Sequence, residues 1–199
     1  KSMMILGGMA GEAFDSIDEA VFSPDGSVVA YVAREGGRSF VVVGGKRGRP
    51  FDDVGELVFS PDGSTVAYRA CDILGARVVV GDTMHEEFEN VRGPAFSPDG
   101  STVAYRVGHQ GEAFIVVRDS CWPKEIHRAT GEELPPDPDR GPGEGWGEAF
   151  EEATGPVFST EGARVAYGAA IDGKCFVVVA GKRGPGFRLV SRPMFSPEG

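Results

Sequence analysis

Apolar and polar positions along this chain fall into short runs that return in a fixed order. ELVFS (56–60) is a brief apolar stretch ended by Pro-Asp-Gly, and STVAYRA (64–70) alternates and is rich in β-branched and aromatic residues. SFVVVGG (39–45) is a continuous apolar run closed by glycine, and RPFDDV (49–54) is shorter and more polar. Each has the length and composition of a strand and is bounded by turn residues. No stripe of period 3.6 competes outside residues 121–145. The prediction is an all-β chain with four strands per unit.

The unit repeats. VFSPDGSVVAY begins at Val21, VFSPDGSTVAY at Val58, AFSPDGSTVAY at Ala95 and VFSTEGARVAY at Val157, and MFSPEG closes the sequence. The signatures therefore occupy 22–26, 59–63, 96–100, 158–162 and 195–199. Their phenylalanines are separated by 37, 37, 62 and 37 residues, so the period is 37 and the third full repeat carries a 25-residue insertion, 121–145. MMILGGMAGEAFDSIDEAV from Met3 aligns with FVVVGGKRGRPFDDVGELV from Phe40, which extends the register to the start. Four short strands repeated at this spacing signal one propeller blade per repeat.

Ser-Pro-Asp-Gly reads as turn chemistry. Proline presets φ, aspartate suits the next position, and glycine takes the left-handed conformation that follows. Ser23, Ser60, Ser97, Ser159 and Ser196 can bond back to a turn amide. A single carboxylate per copy cannot supply the six or more oxygens that calcium takes, so a hairpin turn is expected rather than a metal site.

FSPDGSxVAY, followed by a polar loop and a valine-rich strand, resembles the WD-repeat-like β-propeller repeat of TolB-type proteins. The resemblance covers nearly the whole chain apart from the insertion. It implies blades whose first strand is innermost and whose fourth is outermost. The expectation is a single β-propeller domain over residues 1–199, of five four-stranded blades, one incomplete. Nothing in the sequence matches Ser27–Gly37 for the last blade, whose third and fourth strands would come from Met3–Ile17 and whose first from Arg192–Ser196. Three arrangements satisfy that register: continuation in a longer chain, strands shared in a homo-oligomer, or direct pairing of the first and third strands.

Charge and cysteines narrow the partners. A net charge of −10 repels phosphate backbones and anionic lipid, so no nucleic acid is expected as a partner. No run of 18 apolar residues is present, so membrane insertion is not expected either. Cys71, Cys121 and Cys175 are odd in number and lack C-x-x-C spacing, which points away from disulfides and zinc. TolB-type resemblance implies a bacterial periplasmic or secreted setting and unpaired thiols a reducing cytoplasm, so the sequence selects no compartment.

Candidate binding residues lie in two places. Trp122 and Trp146 flank the Pro-, Gly- and charge-rich insertion, where a long loop on a rigid scaffold can bind a partner. Asp18, Glu56 and Arg92 lie near the blade connections, at the expected mouth of the central channel. Glu19 and Glu56 recur in register near the start of the innermost strand, and such a carboxylate pair could serve glycoside cleavage. The acids beside phenylalanine, Asp15, Asp52–Asp53, Glu87–Glu89 and Glu151–Glu152, read as a solvated outer edge, and His85, His109 and His127 as surface residues. No phosphate loop or G-x-S-x-G elbow is present. The reading is a non-catalytic binding scaffold with a protein partner and no cofactor. The alternatives are a glycan-binding or glycan-cleaving five-bladed propeller, and the regulatory propeller of a larger hydrolase, which a prolyl-oligopeptidase resemblance implies.

Overall fold

A computed structural model describes residues 1–119 and 147–197, and their regular structure is entirely β. The insertion, with Cys121, Trp122 and His127, and the adjoining Trp146 lie outside the described residues. A hairpin of β1 (Ser2–Leu6) and β2 (Met9–Phe14) comes first. The first full blade is β3 (Ser16–Phe22), β4 (Val29–Glu35), β5 (Arg38–Val43) and β6 (Lys46–Arg47), paired antiparallel in that order. The second is β7 (Asp53–Phe59), β8 (Val66–Asp72), β9 (Gly75–Val80) and β10 (Thr83–Met84). In the third, β11 (Asn90–Phe96), β12 (Thr102–His109) and β13 (Glu112–Asp119) are paired in sequence. The fourth splits its first strand into β14 (Glu152–Ala153) and β15 (Val157–Phe158), both on β16 (Val165–Ile171), followed by β17 (Lys174–Val179) and β18 (Lys182–Arg183).

The turns form as their chemistry dictates. Ser23 Oγ accepts the Val28 amide at 2.9 Å and donates to Asp25 at 2.6 Å, while the Gly26 amide bonds the Ser23 carbonyl at 2.8 Å. Ser60 and Ser97 repeat the arrangement with Asp62 and Asp99. The serine hydroxyl holds Asp25 down to about pKa 2 and lowers Asp62 and Asp99. Gly63 takes φ +72°, and a Cβ there would lie 3.2 Å from that of Ser23, so one blade's turn rests on the next.

The core lies between blades rather than within them. Val32 and Val41 of the first blade meet Leu57, Phe59 and Tyr68 of the second, and Val78 and Val80 of the second meet Tyr105 and Phe114 of the third. β3 packs on β7 and β7 on β11, which places the first strands innermost. All four VAY tyrosines, Tyr31, Tyr68, Tyr105 and Tyr167, are buried.

Three expectations need correcting. The fourth strand is only two residues long plus one bridge, Ser39 to Phe51 in the first blade, and Asp53 already belongs to the next innermost strand. Edge pairing, which side-chain alternation does not report, sets that boundary. The signature phenylalanines Phe22, Phe59, Phe96 and Phe158, expected from their repetition to pack the core with the VAY tyrosines, are not uniformly buried: Phe59 is buried, but Phe22 is 60% exposed, because only the β1–β2 hairpin precedes its blade. Finally, β1 and β2 pair only with each other, and Arg192–Ser196 joins no strand among the described residues.

Tyr105→Ala should therefore cost about 3–5 kcal/mol and Phe22→Ala well under about 1 kcal/mol. Chemical denaturation of the two variants checks the contrast.

Candidate functional site

The innermost strands of the first three full blades each carry a β-bulge. The register breaks between Asp18 and Ala20, between Gly55 and Val58, and between Arg92 and Ala95. Glu19 (φ 23°) and Glu56 (φ 57°) occupy these bulges in left-handed conformations, and Gly93 (φ 61°) takes the third. An extra residue in a strand turns amides out of the ladder, and here a carboxylate from the preceding blade meets them. Glu19 accepts the Glu56 and Leu57 amides, both at 2.8 Å, and Glu56 accepts the Gly93 amide at 2.5 Å. These are charge-assisted bonds from side chain to backbone, linking consecutive blades near the axis. The two glutamates, which in the glycoside alternative would form an acid and base pair, hold backbone amides as clamps.

Around them runs a ladder of ion pairs. Asp18 meets Arg34 at 3.2 Å, Arg34 meets Asp53 at 3.0 Å, and Asp53 meets Arg69 at 2.6 Å. Arg69 approaches Glu56 at 3.6 Å, and Arg92 reaches the same carboxylate at 3.4 Å. The structure thus brings Asp18, Glu56 and Arg92 into one network, whereas Trp122 and Trp146 lie outside the described residues. Sequence reasoning missed Arg34, Asp53 and Arg69. From sequence Asp53 reads as part of a solvated edge, although the recurrence of Arg69 as Arg106, 37 residues on, is a usable signal. Half-buried, Arg69 is desolvated, but Asp53 and Glu56 outweigh that and raise its pKa.

The other acids beside phenylalanine also have structural partners. Asp15 accepts the Gly36 amide at 3.0 Å, Glu89 that of Gln110 at 2.7 Å, and Glu151 that of Asp172 at 3.2 Å, while Asp52 pairs with Arg38. Asp15, Glu89 and Glu151 thus cap the turns between second and third strands. His85 is likewise not a surface residue. It stands in register with Gly48 and Gly147, is 4% exposed, and its Nδ1 lies 3.1 Å from the Tyr105 hydroxyl. Burial, with nearby Arg118, pushes its pKa down to about 4. No group of three or more His, Cys, Asp or Glu side chains placed to hold a metal ion occurs among the described residues.

No protein-family model matches the chain, and no curated protein does. Among solved structures it is similar to the β-propeller domain of the trilobed protease from Pyrococcus furiosus, at 13% identity and a TM-score of 0.53, with 90% of this chain and 59% of that one covered. It is also similar to TolB from Acinetobacter baumannii (16% identity, TM-score 0.48, covering 88% and 43%). A third likeness is to the Cps50 (Swd1) propeller domain of Myceliophteria thermophila (15%, TM-score 0.46, covering 87% and 57%). The fold is a β-propeller, as in the trilobed protease domain, and the chain spans 43–59% of the length of these structures.

Two outcomes are expected. Glu19→Ala should cost about 2–3 kcal/mol, and Glu19→Gln, which keeps one acceptor, about half as much; denaturant midpoints check both. The folded-state pKa of His85 lies below the ordinary value of 6.5, so its contribution is complete above pH 6.5 and is lost as pH falls towards 4. Stability should drop by about 2 kcal/mol between pH 7 and 5 through this residue, which Arg118, Glu86 and Tyr105 surround. In His85→Gly that slope should be absent.

Proposed function

We propose that this propeller is a non-catalytic scaffold that binds protein partners through the channel-mouth face carrying Asp18, Glu56 and Arg92, together with Trp122 and Trp146 beside the insertion. One observation carries the reading: the recurring axial glutamates hold backbone amides and arginines of neighbouring blades. A carboxylate so engaged is a poor general acid or base but a good means of keeping a surface rigid. Asp18 and Arg92 stay largely exposed at the ends of the ladder, where their charges can set a partner's register.

A second reading, the regulatory propeller of a larger hydrolase, is favoured by the likeness to the protease propeller domain. A G-x-S-x-G elbow in the same reading frame would support it.

Affinity capture from the source cells should use the intact chain, an Asp18→Lys/Arg92→Glu variant and a form lacking residues 121–145. The expected result is a stoichiometric protein held by the intact chain and weakened in at least one altered form. A rise in melting temperature with an oligosaccharide panel, and no protein captured, would replace this reading with the glycan one.

A further inference from the structure

At the boundary between the first and second full blades the repeat departs from itself in three positions at once. Where β2 meets the first full blade, Arg47 pairs with Glu12 at 2.6 Å and lies over Phe14 and Phe40, 4.8 and 4.7 Å from their ring centroids. The fourth blade repeats this latch: Arg183 pairs with Glu148 at 2.5 Å and lies 5.2 and 5.6 Å from Phe150 and Phe176. An acid from one blade, an arginine from the next and two facing phenylalanines close these boundaries.

Between the first and second full blades, the residues in register are Arg49 for the glutamate, Met84 for the arginine and Arg77 for the second phenylalanine. Phe51 remains. In place of the latch there is a cleft of about 260 Å³ lined by Arg49, Pro50, Phe51, Asp72, Arg77 and Met84. Arg77 is held by Asp72 at 3.4 Å and by Glu87. Arg49 makes no ion pair among the described residues; its guanidinium lies 3.3 Å from the Met84 sulfur.

The neighbouring turn departs as well. Elsewhere, two residues with positive φ join the second and third strands: Gly36–Gly37, Gln110–Gly111 and Asp172–Gly173. The second blade has Ile73 and Leu74, 92% and 74% exposed, on a turn closed by Asp72, which accepts the Leu74 amide at 2.9 Å. Asp72 thus joins an exposed aliphatic tip to the cleft wall. Two large aliphatic side chains at a turn tip are costly in water and expected where a partner covers them.

From these departures we infer that the cleft is a docking site for a short segment of a protein partner with an aromatic residue beside an acidic one. The aromatic ring packs on Phe51 beside Arg77, which stands where the second phenylalanine stands in the sister latches. The carboxylate pairs with Arg49, whose charge is the complement of the glutamate in the sister latches. Ile73 and Leu74 cover the segment's aliphatic flank. The inference rests on the scaffold reading and gives it a second, peripheral surface.

Random dodecapeptides displayed on phage and selected on the intact chain test it. The counter-target is a variant carrying the sister residues, Arg49→Glu, Arg77→Phe and Met84→Arg together. Enriched sequences should place Phe, Tyr or Trp within two residues of Asp or Glu. Synthetic copies should bind the intact chain at micromolar concentration, at least about tenfold more weakly to the counter-target and about threefold more weakly to Ile73→Gly/Leu74→Gly. The counter-target should melt no lower than the parent; if it does not fold, exposed Arg49→Glu alone carries the comparison. No enrichment, enrichment without the aromatic–acidic pairing, or equal binding to the counter-target overturns the inference. Stoichiometric partner capture without peptide selection removes the cleft and leaves the scaffold; loss of both removes both.

Discussion

A four-stranded sheet with apolar residues on both faces cannot bury either of them alone, and this constraint organises the whole molecule. Each blade completes its neighbour's core: Tyr68 is buried against the first blade and Tyr105 against the second. Repetition follows from it, because whatever face one unit offers the next must accept. The turns obey the same rule, each Ser-Pro-Asp-Gly resting on the one before.

The axis adds polar links to this apolar stacking. Exposed ion pairs such as Asp18 with Arg34 contribute little energy each. Their value is positional: alternating acids and arginines fix how one innermost strand lies on the next. The glutamate clamps act differently, since the bulges leave amides that need acceptors. Placing Glu19 and Glu56 in left-handed backbone carries a conformational cost that those bonds offset.

Much of the fold was legible in the chain, because the 37-residue period, the turn chemistry and the VAY tyrosines all report local pattern. What escaped was set by pairing rather than by pattern. The brief fourth strand and the start of β7 at Asp53 depend on which edge a neighbour covers. The bulges at Glu19 and Glu56 recur in register, yet periodicity counts residues and does not register a change of φ. His85 could have been suspected, since it replaces glycine in an otherwise constant column. Of the candidate site, Asp18, Glu56 and Arg92 were found and the arginines that join them were not. Sequence proximity does not show that Arg34 bridges two blades.

The clamps also have a direction. Glu19 offers its carboxylate to amides 37 and 38 residues later, and Glu56 to one 37 residues later. No such bond runs backwards from either glutamate to an earlier bulge amide among the described residues. In both cases the acceptor precedes its donor amides in the chain by one full repeat.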